Sequence, residues 1–360
     1  MATATAEPRS ATAVSDDGHK HKKNALSDGQ GRLAYILLAP TLLVILVVAG
    51  IPVIMSIRES FFQTNSGVDP VTGMVAGGEQ FVGLGNFAAI FAGQNPVQGS
   101  FGTIDRFWNA FWNTTAITVV CVILETILGV AMALIMAKAF RGRGLVRAGI
   151  LVPWAIPTIV SALMWKLIFD ADGVMNRILG QQVLWLADTG ASFWAIVIAD
   201  TWKTAPFIGL LTLAGLQTIP AEVYEAAKVD GATTWQQFTR ITLPLVKPTL
   251  VVAVLFRTLD TLRMFDLPYG MIGAGKYRVE TLSIFSYVEA TQTRYGPAAA
   301  YAIVLFLYVL LIAFLFVKVL GADVIGDTGM PKKKKGKKGA DDGKAPDAAA
   351  PGLEMMGGAH

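Results

Sequence analysis

The 360 residues include a single cysteine, Cys121, and only three histidines, His19, His21 and His360. One thiol cannot close an intrachain disulfide, and inside an apolar run it reads as a buried, inert side chain rather than a reactive one. No zinc spacing occurs, and the histidines fall in polar tails where solvation accounts for them. Charge is also scarce: 16% charged residues against 53% hydrophobic departs from the balance of a soluble domain and places the chain among membrane proteins. The net charge of +4 is small and comes from lysines and arginines clustered toward the ends. With no groove-reading motif beside it, this charge excludes nucleic acid as a partner and points to orientation in a membrane. A working phosphate-binding loop is missing too. The run Gly270-Met-Ile-Gly-Ala-Gly275-Lys276 has the spacing, but Tyr277 stands where a small Mg²⁺-binding hydroxyl is required.

Long apolar runs are what the chain does have. The first, Leu33 to Ile57, is about 25 residues without a formal charge, enough to span a hydrocarbon core of roughly 30 Å and too long for a signal core. Pro40 and Pro52 are expected to bend it. Further runs cover Phe111–Ala137, Leu145–Phe169, Ser192–Gly215, Leu245 to about Tyr269 and about Ala298–Leu320, which predicts an all-α protein of six transmembrane helices. Residues 1–30 and 322–360 cannot bury a core and read as disordered tails flanking a membrane domain over 31–321. The Lys332 to Lys338 cluster reads as part of a solvated tail, with contact to anionic headgroups as the alternative. The segment 58–109, punctuated by glycines and Asp69-Pro70, reads as a large outer loop. Arg141, Arg143, Arg147, Lys228, Arg240, Lys247 and the terminal lysines fall on one side, which the positive-inside rule makes cytoplasmic, with both termini there. Trp154, Trp165, Trp185, Trp194 and Trp202 read as interface anchors or helix packing. Glu125, Lys166 and Arg257, isolated in their spans, read as interhelical pairing or as reaching for headgroups.

Between the fourth and fifth runs lies a polar interval, 218–248. Pro220 suits a first helical turn and Gly231 the left-handed residue past a helix end, so a short helix is predicted over Ala221–Asp230. Thr233 with Gln236 forms a capping box, predicting a second short helix to about Ile241, ahead of Pro244. The first helix offers Tyr224, Ala227 and Val229 to a partner groove, with Glu222, Glu225 and Asp230 adding acid near the turn. An elbow built this way suits docking better than catalysis.

Glu225-Ala226-Ala227, Gly231 and Ile241-x-Leu243-Pro244, at this spacing, resemble the EAA signature of membrane subunits of bacterial ABC importers. Flanking residues from Leu145 to Tyr269 resemble the carbohydrate (maltose-type) branch, and Leu255 to Asp266 looks similar to actinobacterial trehalose and maltose permeases. The resemblance implies a type I importer permease in the bacterial plasma membrane, with no catalytic residue, metal or cofactor of its own. ATP and Mg²⁺ would bind a partner ATPase dimer. A second homologous permease would complete the pore, and an extracellular substrate-binding lipoprotein would deliver the sugar. ATPase coupling would fall to Tyr224, Glu225, Ala226, Ala227, Asp230, Gly231 and Ala232.

Two helical faces carry polar groups at membrane depth, where each charge costs about 2.5–3.5 kcal/mol unless it faces protein or water. Asp200, Lys203, Thr204 and Phe207 share one face of the fourth run, and Phe256, Leu259, Asp260 and Arg263 one face of the fifth. Acid, base and ring together suit a sugar, and by resemblance these positions line the translocation cavity. The alternative stays open that Asp260 and Arg263 pair with each other, or with Asp200 and Lys203, and hold helices together. The functional rival is a secondary, proton-coupled transporter or a channel using Asp200, Asp260 and Glu125; the elbow and the lack of an internal repeat argue against it. A scaffold or sensor subunit would leave the polar faces unexplained.

Overall fold

The computed structural model describes residues 25–64, 78–93, 95–187 and 189–319. Most of both expected tails, including all three histidines and the lysine cluster, lies outside them. The helix α1, Ala25–Ile45, begins inside the stretch expected as tail and runs through Pro40 into a π turn, Leu46–Gly50, and then α2, Ile51–Glu59. Pro52 comes just after the π turn, whose wider geometry accommodates a residue that cannot donate an N–H. The segment expected as a loop folds into two small antiparallel hairpins, β1 (Phe62–Thr64) with β2 (Glu79–Phe81) and β3 (Pro96–Gly99) with β4 (Gly102–Asp105), around α3 (Gly85–Ala92).

The long helices are α4 (Arg106–Ala137), α8 (Gly190–Leu216), α11 (Leu243–Leu262) and α14 (Tyr295–Val319). Between them lie α5 (Arg143–Ala155), α6 (Thr158–Ile168), α7 (Val174–Leu179), α9 (Ala221–Val229), α10 (Thr234–Gln237), α12 (Asp266–Ile272) and α13 (Leu282–Thr291). Among the described residues five helices are long and apolar enough to cross a membrane, and α5 with α6 makes a sixth if counted as one broken span. The third run, expected as one span, is two helices here. It bends by 93° at Ile156-Pro157, because the residue before a proline is driven into extended backbone, here φ −73° and ψ 133° at Ile156.

Small residues set the central packing. A Cβ built on Gly129 of α4 would stand 2.8 Å from Ile208 of α8, and one on Gly215 of α8 would stand 2.9 Å from Thr249 of α11. Absence of those side chains lets the three backbones approach closely, as small residues do where helices meet in a membrane. Ala133, Met136 and Leu213 pack at one end of the α4–α8 seam, and Ile117, Cys121, Ile196 and Val197 nearer the other. Ile90, Phe107, Ala110, Leu282, Phe285 and Tyr301 form a further core that ties α3 and α13 onto α4 and α14. Cys121 is fully buried, as expected of an inert thiol.

Candidate functional site

The elbow forms as its residues dictate, with one change. Gly231 has φ +76°, and the Ala232 N–H reaches back to the Ala227 carbonyl at 2.9 Å, closing α9. Both halves of the capping box are made, Gln236 N–H to Thr233 Oγ1 at 3.3 Å and Thr233 N–H to Gln236 Oε1 at 2.8 Å. The second helix does not stop before Pro244, however. A π turn, Phe238–Thr242, leads into α11 with Pro244 in its first turn, so helix runs without interruption from Thr234 to Leu262. The wider turn accommodates a residue that cannot donate an N–H.

The residues of the expected docking face differ in exposure. Tyr224 is half-buried, its hydroxyl 3.1 Å from Thr242 Oγ1 of the second arm, and it lines a groove with Trp235 and Phe238, while Ala227 is buried. Glu222, Glu225, Ala226, Val229, Asp230 and Gly231 are exposed, as is Trp235 at 71%. Ala232 is half-buried in the turn.

The two polar faces meet between α8 and α11, and the residue at their centre is Arg257. Its guanidinium donates from Nε to Glu125 Oε2 at 2.5 Å and from Nη2 to Glu125 Oε1 at 3.0 Å, from Nη2 to Asp200 Oδ2, and from Nη1 to Asp260 Oδ2 at 2.9 Å. Three helices, α4, α8 and α11, thus converge on one side chain that is 3% exposed. Of the three isolated charges, Glu125 and Arg257 take the interhelical-pairing reading, with each other as partners, whereas Lys166 is exposed. Sequence reasoning kept Arg257 out of the site because it belongs to neither periodic face. Its one local signal is the i, i+3 spacing to Asp260.

Thr204 Oγ1 lies 2.6 Å from both Glu125 Oε1 and the Asp200 carbonyl oxygen, and its single proton serves one of the two at a time. Lys203 does not pair with Asp200; its Nζ donates to the Ile156 carbonyl at 2.6 Å, which the bend before Pro157 leaves free of a helical partner. Asp260 is shared between buried Arg257 and exposed Arg263, whose Nη2 lies 3.4 Å away. Cys121, Glu125 and Asp200 would be close enough to hold a metal ion, but the guanidinium already satisfies both carboxylates, so these residues do not fit a cation.

Two adjoining cavities open on this cluster. One of about 250 Å³ is lined by Trp154, Thr204, Phe207, Phe256, Arg257, Asp260 and Arg263. The other, about 310 Å³, brings Asp200, Lys203, Thr204, Asp260 and Arg263 together with Phe265 and Asp266. Of the eight residues expected in the cavity, only Leu259 lines neither. Trp154, read from sequence as an anchor, faces the smaller cavity and stacks on Phe207 at 6.0 Å and 29°. Trp165, Trp185 and Trp202 do serve packing, in a ring cluster with Phe169. Gly270 lies inside α12, where an added Cβ would be 2.9 Å from Ala162. The glycine run there follows a helix rather than a strand, so it is no phosphate cradle.

Comparison with known proteins bears on this geometry. The family described as "Binding-protein-dependent transport system inner membrane component" matches residues 125–325. The trehalose/maltose transport system permease protein MalF of Thermococcus litoralis is 38% identical over 296 residues, 81% of this chain and 94% of that protein. The trehalose transport system permease protein SugA of Mycobacterium tuberculosis is 35% identical over 323 residues, 89% and 97% of the two chains. In fold, the chain is similar to a permease in the crystal structure of a bacterial alginate ABC transporter with its alginate-bound periplasmic protein, at TM-score 0.69 and 22% identity over 85% of this chain and 99% of that one.

Proposed function

The chain belongs to the family of binding-protein-dependent transport system inner membrane components, and from that premise we propose that it passes a neutral sugar, an α-linked disaccharide such as trehalose or maltose, into the cell. As a permease of this family it is a multi-pass protein of the plasma membrane and a transport subunit, with ATP hydrolysis on a separate ATPase and no cofactor of its own. The proposal adds a second homologous permease that completes the pore and an ATPase dimer that receives the elbows. It also adds an extracellular binding lipoprotein that delivers the sugar, and cytoplasmic termini.

The observation that carries this reading is the continuity of helix from Thr234 in the elbow to Leu262 beside the cavity. At 1.5 Å per residue, its 29 residues make a lever about 43 Å long. Closure of the ATPases moves the exposed elbow face, and the same helix carries Asp260, with Arg263 just past its end, along the fixed face of α8. Sugar is driven inward only if the two arrangements bind it differently. Asp260, able to pair with Arg257, with Arg263 or with a sugar hydroxyl, supplies a group whose partner changes between them. Proton coupling is disfavoured because Glu125 and Asp200 are both held by Arg257.

The test is ATP hydrolysis by the reconstituted complex with its binding protein and a panel of α-linked disaccharides. Stimulation by one of them is expected, reduced by Asp260→Ala. Uptake by this chain alone, driven by a proton gradient, would replace the reading.

A further inference from the structure

Two groups of rings stand at the two ends of the charged stretch between α8 and α11. At one end are Trp154, Phe207 and Phe256. At the other, Phe265, in the turn between α11 and α12, lines the larger cavity and stacks on Tyr269 at 4.9 Å and 17°. Tyr287 of α13 meets both edge-on, at 5.0 Å and 5.3 Å. Rings that serve the core, such as Phe285 at 3% and Tyr301 at 9%, are buried, but Tyr287 is 43% exposed and its two neighbours are half-buried. Asp266, exposed beside Phe265, gives the same cavity wall a carboxylate.

We propose that Phe265, Tyr269 and Tyr287 form a second, outer carbohydrate subsite, resting on the sugar-importer reading, in which the rings take the apolar face of a pyranose and Asp266 with Arg263 take its hydroxyls. Offset and edge-on rings give a broad apolar surface with polar tips, the chemistry a sugar face needs. The two cavities share Thr204, Arg257, Asp260 and Arg263, so they adjoin across these side chains. A sugar leaving the platform passes Arg263 and Asp260 and reaches Phe256 after about 10 Å of helix rise. Each end offers rings and the middle offers charge, so a disaccharide exchanges one kind of contact for the other as it moves.

The experiment measures KM and maximal rate of sugar-stimulated ATP hydrolysis by the full complex in lipid vesicles, with trehalose or whichever panel member stimulates the unaltered complex. Tyr287→Leu and Phe265→Leu are expected to raise KM about three- to tenfold, the effect of losing one ring contact. Tyr287→Phe and Phe265→Tyr, which keep the ring, are expected to hold KM near the unaltered value. Unchanged KM in both leucine variants overturns the platform, and so does a lower maximal rate or poorer assembly at unchanged KM, which marks the rings as membrane-interface anchors. Should Phe265→Leu not assemble, Tyr287→Leu carries the test alone, since its ring is exposed. A wild-type complex stimulated by no sugar removes the importer reading and the platform with it. Stimulation that the leucine variants leave intact removes the platform only.

Discussion

Arg257 holds three helices together through charge, and its removal strands what it held. Glu125 is fully buried and Asp200 4% exposed, so truncating the guanidinium leaves carboxylates without a counter-ion. Breaking a buried pair in this way costs about 3–5 kcal/mol. Arg257→Met is therefore expected to lower the thermal midpoint of the detergent-purified complex sharply, and Arg257→Lys to rescue little, because an ammonium cannot reproduce the fork that meets two carboxylates at once. A midpoint unchanged in Arg257→Met would show that the charges are solvated in the assembled transporter. Gly231 tests a different kind of single-residue demand. No atom lies within 4 Å of where its Cβ would be, so only the positive φ resists substitution. Gly231→Val is expected to strain the turn by about 1–2 kcal/mol and uncouple ATP hydrolysis from sugar, while Gly231→Asn, tolerant of that backbone, retains coupling. Equal coupling in both variants would sink the elbow argument.

At the scale of elements, the seam between α4 and α8 is where substitution has least room. A Cβ at Gly129 would stand 2.8 Å from the Ile208 side chain and 3.0 Å from the Ala205 carbonyl, and a backbone atom cannot rotate away. Gly129→Leu is expected to cost about 1–3 kcal/mol by overpacking, with Ile208→Ala recovering only part. Full recovery of the thermal midpoint in the double variant would mean that the seam is held by side-chain fit alone. The elements also explain what could be read in advance. Pro220, Gly231 and the Thr233/Gln236 box are local signals, and they located the elbow to within a residue or two. The continuation through Pro244 was hidden because a π turn has no signature of its own beside a proline. The bend at Pro157 was hidden because apolar length hides direction. Arg257 stayed outside the expected site for a related reason. Helical periodicity sorts residues on one helix, and Glu125, 132 positions away, is brought to it only by the packing of α4 against α8 and α11. The hydroxyl contact of Tyr224 with Thr242 depends on how the second arm of the elbow packs, which the spacing of α9 does not show.

At the scale of the whole molecule, none of the most apolar window of Leu33–Glu59 is buried, and little of α14. Such faces need lipid or a second chain to cover them, which fits a pore shared between two permeases. The sidedness of the molecule then decides whether the elbow can meet an ATPase at all. Arg141 lies exposed in the turn between α4 and α5, on the side the basic residues assign to the cytoplasm, and Ala274 lies exposed in the loop after α12 on the other. Cys121 is fully buried, and Cys121→Ala provides a background free of other thiols. In that background Arg141→Cys is expected to react with a membrane-impermeant maleimide in inside-out vesicles only, and Ala274→Cys in right-side-out vesicles only. The reverse pattern would put the elbow outside the cell, beyond reach of ATP, and would remove both the coupling lever and the outward position of the Phe265 rings.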